Sequence, residues 1–478
     1  MTLPEDFIMQ TKAALGDELW QTLEQGLAAE PPVSIRLNPW KCQDRGFEVA
    51  GSTGVVPWCK DGMYLEARPN FTFDPMLHAG MYYVQEASSM FLDRVLRQYA
   101  AGGPVRMLDL CAAPGGKSTV ARAALAEGSL LVSNEPVRQR AQVLAENVQK
   151  QGHPDTIVTN NYPQDFRRSG LQFDVVLADV PCSGEGMFRK DPAAIGEWSL
   201  QNVEKCWRLQ REIVADAWYC LRPGGLFVYS TCTFNTKEDE GNVAYMCEEL
   251  GAEVLAVDAD GCWGITGSVL PGFDKPVYRF LPGRTSGEGL FMAVMRKTGD
   301  EPAGGGRMKG RKSAKERRQG GGSAVADACK KWLRQPDGLE IVVDGNTVTA
   351  IPRPWKPFYD AARKSLNVLS AGVPLGEVKG KDVIPSQALA LSICLDASAF
   401  PTVELDYGQA LCYLRKEAVP LPEGTPRGHV LMAYKGVPLG FEKNIGNRAN
   451  NLYPAEWKIK SQHTPEGCNE VLSRQVDK

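Results

Sequence analysis

Two cysteines follow short apolar segments at places where a thiol could do chemistry. Cys182 comes after "FDVVLADVP" and Cys232 after "GGLFVYST", and their neighbours are Pro, Ser, Gly and Thr rather than apolar residues. Cysteine is among the most frequently buried residue types, so most of the 13 cysteines are expected to be inert core thiols. Cys182 and Cys232 are therefore the two thiols that the sequence singles out as candidates for catalysis.

Asp179 stands shortly before Cys182, and the three side chains together suit chemistry on a pyrimidine ring. Pyrimidine C5 is a poor nucleophile, but a thiolate that adds to C6 turns C5 into a carbon that can accept a methyl group. The reaction needs a thiolate, a group that binds or protonates the ring edge, and a base or second thiol for the elimination. The chemistry alone does not decide which cysteine is the nucleophile.

The elements that must position these residues alternate between strand and helix from Val105 onward. This spacing predicts an α/β fold with a doubly wound, mostly parallel sheet. Neighbouring strands in such a sheet lie about 5 Å apart, so residues at their ends can converge on one base. The predicted strand segments are "VRMLDL", "SLLVSNE", "TIVTN", "FDVVLADVP", "GGLFVYSTC" and "GLFMAVMRK".

The segment "MLDLCAAPGGKST" ends a predicted strand and opens a helix through Gly115 and Gly116. Backbone N–H groups then face the carboxyl end of the sheet, where ligands bind in open α/β folds. A P-loop is excluded because Cys111 occupies the position where its first glycine is needed, and no G-x-G-x-x-G is present. Glu135 is the last residue of the next predicted strand. Its carboxylate could accept hydrogen bonds from both hydroxyls of a ribose, whether in NAD or in S-adenosylmethionine. Alternatively, its negative charge could simply stabilise the start of the following helix.

Composition places the chain among ordinary globular proteins, with 478 residues, 43% hydrophobic and 23% charged. The net charge of −3 means that any nucleic-acid surface must be local. The absence of C-x-x-C and the presence of only four histidines predict no structural zinc. The sequence shows no signal-peptide layout and no apolar run long enough to cross a bilayer, so we expect a cytoplasmic protein with reduced thiols.

Three motifs occur in order: "DLCAAPGGKST", "DVPCSGEGMFRKDP" and "YSTCTFNTKEDEGNV". Together they resemble the NOL1/NOP2/Sun family of RNA 5-methylcytosine methyltransferases, and "SIRLN" and "YYVQEASSM" match its amino-terminal region. "GEGMFRKDP" and "GVPLGFEKNIGNRANNLYP" are most similar to the bacterial branch called rRNA small subunit methyltransferase F. The resemblance covers nearly the whole chain except a basic linker. It implies a class I, Rossmann-like methyltransferase that uses S-adenosylmethionine to methylate C5 of a cytosine in 16S rRNA, on free RNA or on the 30S particle.

The resemblance also implies roles for individual residues. Cys232 would be the nucleophile, Cys182 would assist breakdown of the covalent adduct, and Asp179 would face the transferred methyl group and the cytosine edge. Glu135 would bind the ribose, and Arg140 would lie beside the cofactor. Many relatives carry an Asp near the adenine, where this chain offers Asn160, Asn161 or Tyr162, and we assign Asn161 to the cofactor. The implied cofactor loop comprises Cys111, Ala112, Ala113, Pro114, Gly115, Gly116 and Lys117.

The predicted domains are an amino-terminal extension (1–75), the methyltransferase domain (76–298), a basic Gly-rich linker (299–324), an intermediate domain (325–418) and a PUA-like RNA-binding module (419–478). The linker is predicted to be a mobile tether, with a phosphate-contacting arm as the alternative.

Several further side chains are candidates for RNA contact. Lys190 could touch the RNA or be an ordinary loop lysine. In the PUA-like module the basic candidates are Lys435, Lys443 and Arg448. The aromatic candidates for base stacking are Tyr434, Phe441 and Tyr453, and burial in a small core is the alternative that we expect for Phe441.

Other functions remain open from the sequence. The same chemistry could act on tRNA, and a domain without activity could serve as an RNA-binding ribosome-assembly factor. The presence of both candidate cysteines, Asp179 and the Gly-rich loop favours an active enzyme, and an NAD enzyme is the most distant alternative. A monomer is the default expectation.

Overall fold

The amino-terminal residues form a long helix and a small antiparallel sheet with strand order β3-β4-β1-β5. Gly16 interrupts the long helix with a φ of 76°. The computed structural model describes residues 2–43, 45–299, 322–380, 382–461, 463 and 470–474, and most of the predicted linker lies outside them. The elements are α1 (Glu5–Ala28), β1 (Val33–Leu37), α2 (Pro39–Cys42), β2 (Phe47–Val49), β3 (Ser52–Val55), β4 (Gly62–Leu65), α3 (Pro75–His78), β5 (Tyr82–Val84) and α4 (Phe91–Tyr99).

The central part of the chain builds the predicted doubly wound sheet, which confirms the fold class. Its elements are β6 (Arg106–Asp109), α5 (Gly116–Ala124), β7 (Leu130–Asn134), α6 (Arg138–Gln151), β8 (Thr156–Thr159), α7 (Pro163–Ser169), β9 (Phe173–Asp179), α8 (Pro192–Glu197), α9 (Leu200–Cys220), β10 (Leu221–Thr231), α10 (Glu240–Leu250), β11 (Ala252–Val254), β12 (Tyr278–Phe280) and β13 (Leu290–Lys297).

Five parallel strands in the order β8-β7-β6-β9-β10 form the middle of this sheet. β7 and β8 are buried along their whole length, as continuous apolar strands covered on both faces should be. β13 pairs antiparallel with β10 and continues the sheet to β11 and β12. The chain order reverses between β6 and β9, so the carboxyl ends of these strands form the crevice where ligands bind in such folds.

The carboxy-terminal third forms two further sheets and lends one strand to the central sheet. Its elements are α11 (Gly322–Lys330), β14 (Leu339–Asp344), β15 (Thr347–Pro352), α12 (Lys356–Ser365), β16 (Val368–Ala371), β17 (Val373–Lys379), β18 (Asp382–Pro385), α13 (Gln387–Leu391), β19 (Thr402–Leu405), α14 (Tyr407–Leu414), β20 (Gly428–Tyr434), β21 (Val437–Asn444), β22 (Ala449–Asn451) and β23 (Leu472–Arg474).

Two strand pairings join the ends of the chain to the rest of the molecule. β16 pairs antiparallel with β8 and becomes an edge of the central sheet, although it comes from the predicted intermediate domain. β23 pairs with β2 near the amino terminus. The last sheet has the order β19-β20-β21-β22, so its first strand lies before residue 419, where the sequence analysis begins the PUA-like module.

The aromatic residues of the last sheet face inward. Tyr434 is 4%, Phe441 1% and Tyr453 0% exposed, and Tyr434 and Tyr453 pack in a core shared with the amino-terminal sheet. The core position expected for Phe441 is confirmed. The prediction that Tyr434 and Tyr453 stack on RNA bases is wrong, because these rings are buried in the interface between the last sheet and the amino-terminal sheet. Of the basic candidates, Lys435 pairs with Glu470 at 2.6 Å. Lys443 is half-buried and Arg448 is exposed.

Across the described ranges, no helix combines the length and the apolar character needed to cross a membrane.

A buried ionic cluster ties β12 to the start of α10. The Arg279 guanidinium donates to Asp239 Oδ2 and Glu240 Oε2, both at 2.7 Å, and to the carbonyl oxygen of Phe234 at 2.8 Å. The three charged side chains are fully buried. A buried ionic cluster of this kind is stable only while each charge has a partner of opposite sign.

Replacing Arg279 by Met should therefore lower the free energy of unfolding by about 3–5 kcal/mol, because two carboxylates would stay buried without a cation. Urea unfolding followed by tryptophan fluorescence measures this. Arg208→Met is the matched control, since its side chain is 71% exposed and pairs with Glu204 on the same helix. Equal unfolding midpoints for the two variants would contradict the prediction.

Candidate active site

The two candidate cysteines meet at the carboxyl edge of the central sheet. β9 and β10 run parallel with Asp179 opposite Ser230, so the loops after both strands leave from the same place. The Sγ atoms of Cys182 and Cys232 lie 3.0 Å apart, and the Cys232 backbone N–H donates to Cys182 Sγ at 3.3 Å. The structure thus places both thiols where one ligand can contact both.

Asp179 is held beside the thiols by a lysine from the Gly-rich loop. Lys117 Nζ lies 2.8 Å from Asp179 Oδ2, and Ser230 Oγ donates to Asp179 Oδ1 at 2.7 Å. Burial alone would lower the pKa of Lys117, but the Asp179 carboxylate more than offsets it, so the pKa is raised. Lys117 therefore remains a cation and links the predicted cofactor loop to the thiol pair.

The hydrogen bond between the two thiols affects the pKa of Cys182. A hydrogen bond with the Cys232 thiol, together with burial, raises the pKa of Cys182 well above its ordinary value. Cys182 is therefore a neutral thiol at physiological pH. Burial also raises the pKa of Cys111, which is half-buried and packs against the central core, so this loop cysteine is an inert thiol.

The Gly-rich loop crosses the ends of β6 and β7. Gly115 has a φ of 117°, and a Cβ there would come within 3.3 Å of the Leu144 side chain, so the turn requires glycine. Arg140 Nη2 donates to the Ala113 carbonyl oxygen at 3.0 Å and lies 3.5 Å from Glu135 Oε2. Ala112, Ala113 and Pro114 form the path between these points. Arg140 therefore fastens the loop to the buried Glu135 carboxylate.

The three candidates for contact with the adenine differ in the hydrogen bonds and the exposure of their side chains. Asn161 Oδ1 accepts from the backbone N–H of Asn367 at 2.9 Å, just before β16. Asn160 Nδ2 donates to the carbonyl oxygens of Glu135 and Pro136. The Tyr162 side chain is 62% exposed. The oxygen of Asn161 is thus occupied by the carboxy-terminal part of the chain, and its cofactor role stays a prediction.

Some residues at the site escaped the sequence analysis. Ser230 binds Asp179 directly, and its position opposite Asp179 could have been found only from the strand register. Glu185 and Glu238, in "GEGM" and "KEDEG", are fully buried around the two cysteine loops, although glutamate normally indicates an exposed position. Lys190 Nζ lies 3.6 Å from Glu288 Oε1, so it is held in an ion pair, and its RNA contact stays a prediction.

Comparison with known proteins decides the family. Residues 103–296 match the family described as 16S rRNA methyltransferase RsmB/F, residues 3–87 match the N-terminal domain of 16S rRNA methyltransferase RsmF, and residues 400–459 match the methyltransferase RsmF PUA domain. Ribosomal RNA small subunit methyltransferase F of Enterobacter sp. (strain 638) is 31% identical over 95% of both chains. The chain belongs to the ribosomal RNA small subunit methyltransferase F family. The Vibrio cholerae (strain M66-2) member is 29% identical over 95% of this chain and 98% of its own.

Solved structures agree with the methyltransferase F assignment at the level of the fold. NSun6 from Pyrococcus horikoshii with SFG has a TM-score of 0.51 and 20% identity, covering 62% of this chain and 99% of its own. A methyltransferase homolog protein from Pyrococcus horikoshii has a TM-score of 0.50 and 23% identity, covering 62% and 100%. This member of the methyltransferase F family is therefore an RNA methyltransferase of class I fold with a carboxy-terminal PUA domain, and its methyl donor is S-adenosylmethionine.

The residues present fit that methyl donor. Glu135 is a nearly fully buried carboxylate whose Oε1 accepts from the Val137 N–H at 3.0 Å. A buried carboxylate at the end of the second strand is the acceptor that a ribose diol needs. Within the described part of the chain, no three His, Cys, Asp or Glu side chains form a group able to hold a metal ion.

Asp109, the last residue of β6, is the other buried carboxylate of this edge. Its Oδ2 accepts from Ser118 Oγ at 2.6 Å, while Oδ1 has no hydrogen-bond partner among the described residues. Burial raises its pKa from 3.8 to about 7. The folded protein therefore binds a proton at Asp109 more tightly than the unfolded chain does.

Because the folded pKa is the higher one, the stability contributed by protonated Asp109 is lost as the pH rises from about 4 to about 7. Asp109→Asn, which cannot ionise, should gain stability relative to the parent chain over this interval, by a few kcal/mol. Urea unfolding between pH 4.5 and pH 8 measures the difference. Exposed Asp337→Asn is the control, and an Asp109→Asn difference that did not change with pH would refute the prediction.

Proposed function

We propose that this protein methylates C5 of a cytosine in 16S rRNA through a covalent bond between Cys232 Sγ and C6 of the base. The observation that carries the proposal is the pair of thiols, 3.0 Å apart, at the sheet edge that also holds Asp179 and Lys117. Methyl transfer to an amine or a hydroxyl needs no thiol, whereas carbon C5 must first be activated by a nucleophile at C6. The names of the relatives support a small-subunit rRNA substrate.

Cys232 is the thiol that fits the nucleophile. The resemblance of the "YSTCTFN" motif to its family carries this assignment, because the chemistry of the pair alone does not rank the two thiols. The hydrogen bond with Cys232 and burial raise the pKa of Cys182, so Cys182 can serve as the proton donor. Once Cys232 has released its proton to solvent, the S–C6 bond forms and the C5=C6 electron pair becomes available at C5. Lys117, kept cationic by Asp179, supplies a donor for the charge that develops on the ring, and Asp179 supplies an acceptor for the exocyclic amine.

When bound, S-adenosylmethionine supplies an electrophilic methyl group. The remaining steps belong to the two thiols. The C5 proton must leave and the S–C6 bond must break for the methylated base to be released. Cys182 can give its proton to the departing Cys232 sulfur and then accept the proton from C5, which leaves both thiols protonated. Cys182 thus acts as the base of the elimination.

The substrate cytosine must be unpaired or flipped out, because a half-buried thiol at the edge of the sheet cannot reach C6 inside a base-paired stem. Half-buried Lys443 and exposed Arg448 are the proposed contacts of the PUA domain with the phosphate backbone, whereas Tyr434, Phe441 and Tyr453 are buried.

Bisulfite sequencing of 16S rRNA from cells with and without the gene tests the proposed reaction and substrate together. We expect one or more cytosines to lose protection when the gene is deleted. Unchanged protection throughout 16S rRNA would reject this substrate. The same readout on tRNA would then separate a tRNA enzyme from a protein that binds RNA without modifying it.

The two thiols should have different phenotypes. Cys232→Ala should reduce methylation to background, because no adduct can form, whereas Cys182→Ala should accumulate a protein–RNA adduct that is visible as a shifted band in denaturing gels. Cys206→Ala, in which a half-buried thiol on α9 is removed, is the control and should show neither effect. An adduct with Cys232→Ala and none with Cys182→Ala would reverse the two roles.

Glu135 should affect cofactor binding rather than RNA binding. Glu135→Gln should raise the Kd for S-adenosylmethionine by roughly 10–100-fold, because hydrogen bonds to a charged acceptor are worth about 1.5–3 kcal/mol. Isothermal titration calorimetry measures the Kd, with Glu146→Gln on α6 as the control. An unchanged Kd would remove the ribose role from Glu135.

A further inference from the structure

Each loop that carries a catalytic thiol also carries a glutamate that reaches the other loop. Glu185 follows Cys182, and its Oε2 accepts from the backbone N–H groups of Phe234 and Asn235 at 2.6 and 3.1 Å. The hydroxyl of Thr233, the residue next to Cys232, also donates to this oxygen at 2.5 Å. Glu185 thereby holds the backbone just beyond Cys232.

Glu238 makes the reverse connection. It follows Cys232 in the chain, and its Oε2 accepts from the backbone N–H of Ser183, the residue next to Cys182, at 3.1 Å. Asn235 joins the two carboxylates, because its Nδ2 lies 3.0 Å from Glu185 Oε1 and 2.8 Å from Glu238 Oε1. We call Glu185, Asn235 and Glu238 the loop clamp.

The surroundings of the clamp are unusual for buried carboxylates. Glu185 and Glu238 are both fully buried, yet within the described residues neither forms an ion pair, and the hydrogen-bond donors around them are neutral. Nearby Asp239 and Glu240, by contrast, share the cation of Arg279. Burying a carboxylate with neutral donors alone costs more than an apolar pair of the same volume would, so stability gives no reason for this choice.

The positions of the two cysteine loops give a reason for these buried carboxylates. The clamp holds the residue directly after each thiol, and the Gly186 N–H donates to the Cys232 carbonyl oxygen at 2.8 Å. Hydrogen bonds to a carboxylate are shorter and stronger than those to a neutral acceptor, and both carboxylate oxygens accept, so one side chain can hold several donors at once. Two irregular loops are in this way kept in one relative position.

We infer that Glu185 and Glu238 are positioning residues that set the separation of the two thiols and thereby the release of the adduct. This inference rests on the proposed function for its catalytic consequence. Neither glutamate need touch the base or the cofactor. The thiol separation itself can be measured without RNA or cofactor.

Glu185→Gln is the test variant, because it keeps the volume of the side chain. In either orientation of the amide, however, its NH₂ group faces hydrogen-bond donors that the carboxylate accepted from. The first readout is the rate at which diamide oxidises Cys182 and Cys232 to a disulfide, with the two thiols losing two electrons and two protons to the diazene. Peptide mass spectrometry identifies the linked pair among the other cysteines. The second readout is methylation of rRNA, with the fraction of covalent adduct measured in the same reaction.

We expect the disulfide rate of Glu185→Gln to fall at least about 10-fold and methylation about 100-fold, because a displacement of about 1 Å is sufficient to lose that much. The adduct fraction should rise and the Kd for S-adenosylmethionine should change less than about 2-fold. Glu442→Gln, a fully buried glutamate in the PUA domain, is the matched control and should behave like the parent chain. Glu238→Gln should repeat the pattern from the other loop and serves if Glu185→Gln does not fold.

An unchanged disulfide rate in folded Glu185→Gln and Glu238→Gln would overturn the inference. A slower disulfide rate with methylation and adduct fraction unchanged would overturn its catalytic part. If the parent chain forms the disulfide rapidly but methylates no cytosine, the proposed function fails. The disulfide rates of the variants then decide by themselves whether the clamp positions the thiols.

Discussion

The parallel pairing of β9 with β10 is the constraint on which the site depends. It sets Asp179 opposite Ser230, whose hydroxyl binds the carboxylate, and it makes the two cysteine loops begin at the same edge. A shift of the register by one residue would move the side chains of one strand to the other face of the sheet. The order reversal between β6 and β9 then brings the Gly-rich loop, and with it Lys117, to the same crevice.

Charged side chains are accommodated at this edge in three different ways. Asp239 and Glu240 are neutralised by Arg279, and this cluster supports the fold beside α10. Lys117 and Asp179 form a half-buried pair that ligands can still reach. The loop clamp belongs to neither type, since its carboxylates are matched by backbone and side-chain N–H groups. The catalytic edge therefore combines ion pairs with carboxylates that are held by neutral hydrogen-bond donors.

The carboxy-terminal part contributes to the catalytic domain as well as to RNA binding. β16 extends the central sheet beside β8, and the segment before it binds Asn161 at the edge expected for the adenine. The PUA domain buries Tyr434 and Tyr453 against the amino-terminal sheet. These two aromatic side chains therefore serve packing between the PUA domain and the amino-terminal sheet.

The sequence by itself determined the alternation of strands and helices, the Gly-rich turn at Gly115 and the two polar positions of Cys182 and Cys232. These features are local, because strand patterns, glycine turns and strand ends are written in consecutive residues. Only the tertiary structure decided the 3.0 Å between the thiols, the Lys117–Asp179 pair and the burial of Glu185 and Glu238. It also decided that β16 joins the central sheet and that Tyr434 and Tyr453 face a domain interface, because the pattern of a strand shows which face is apolar but not which surface covers it.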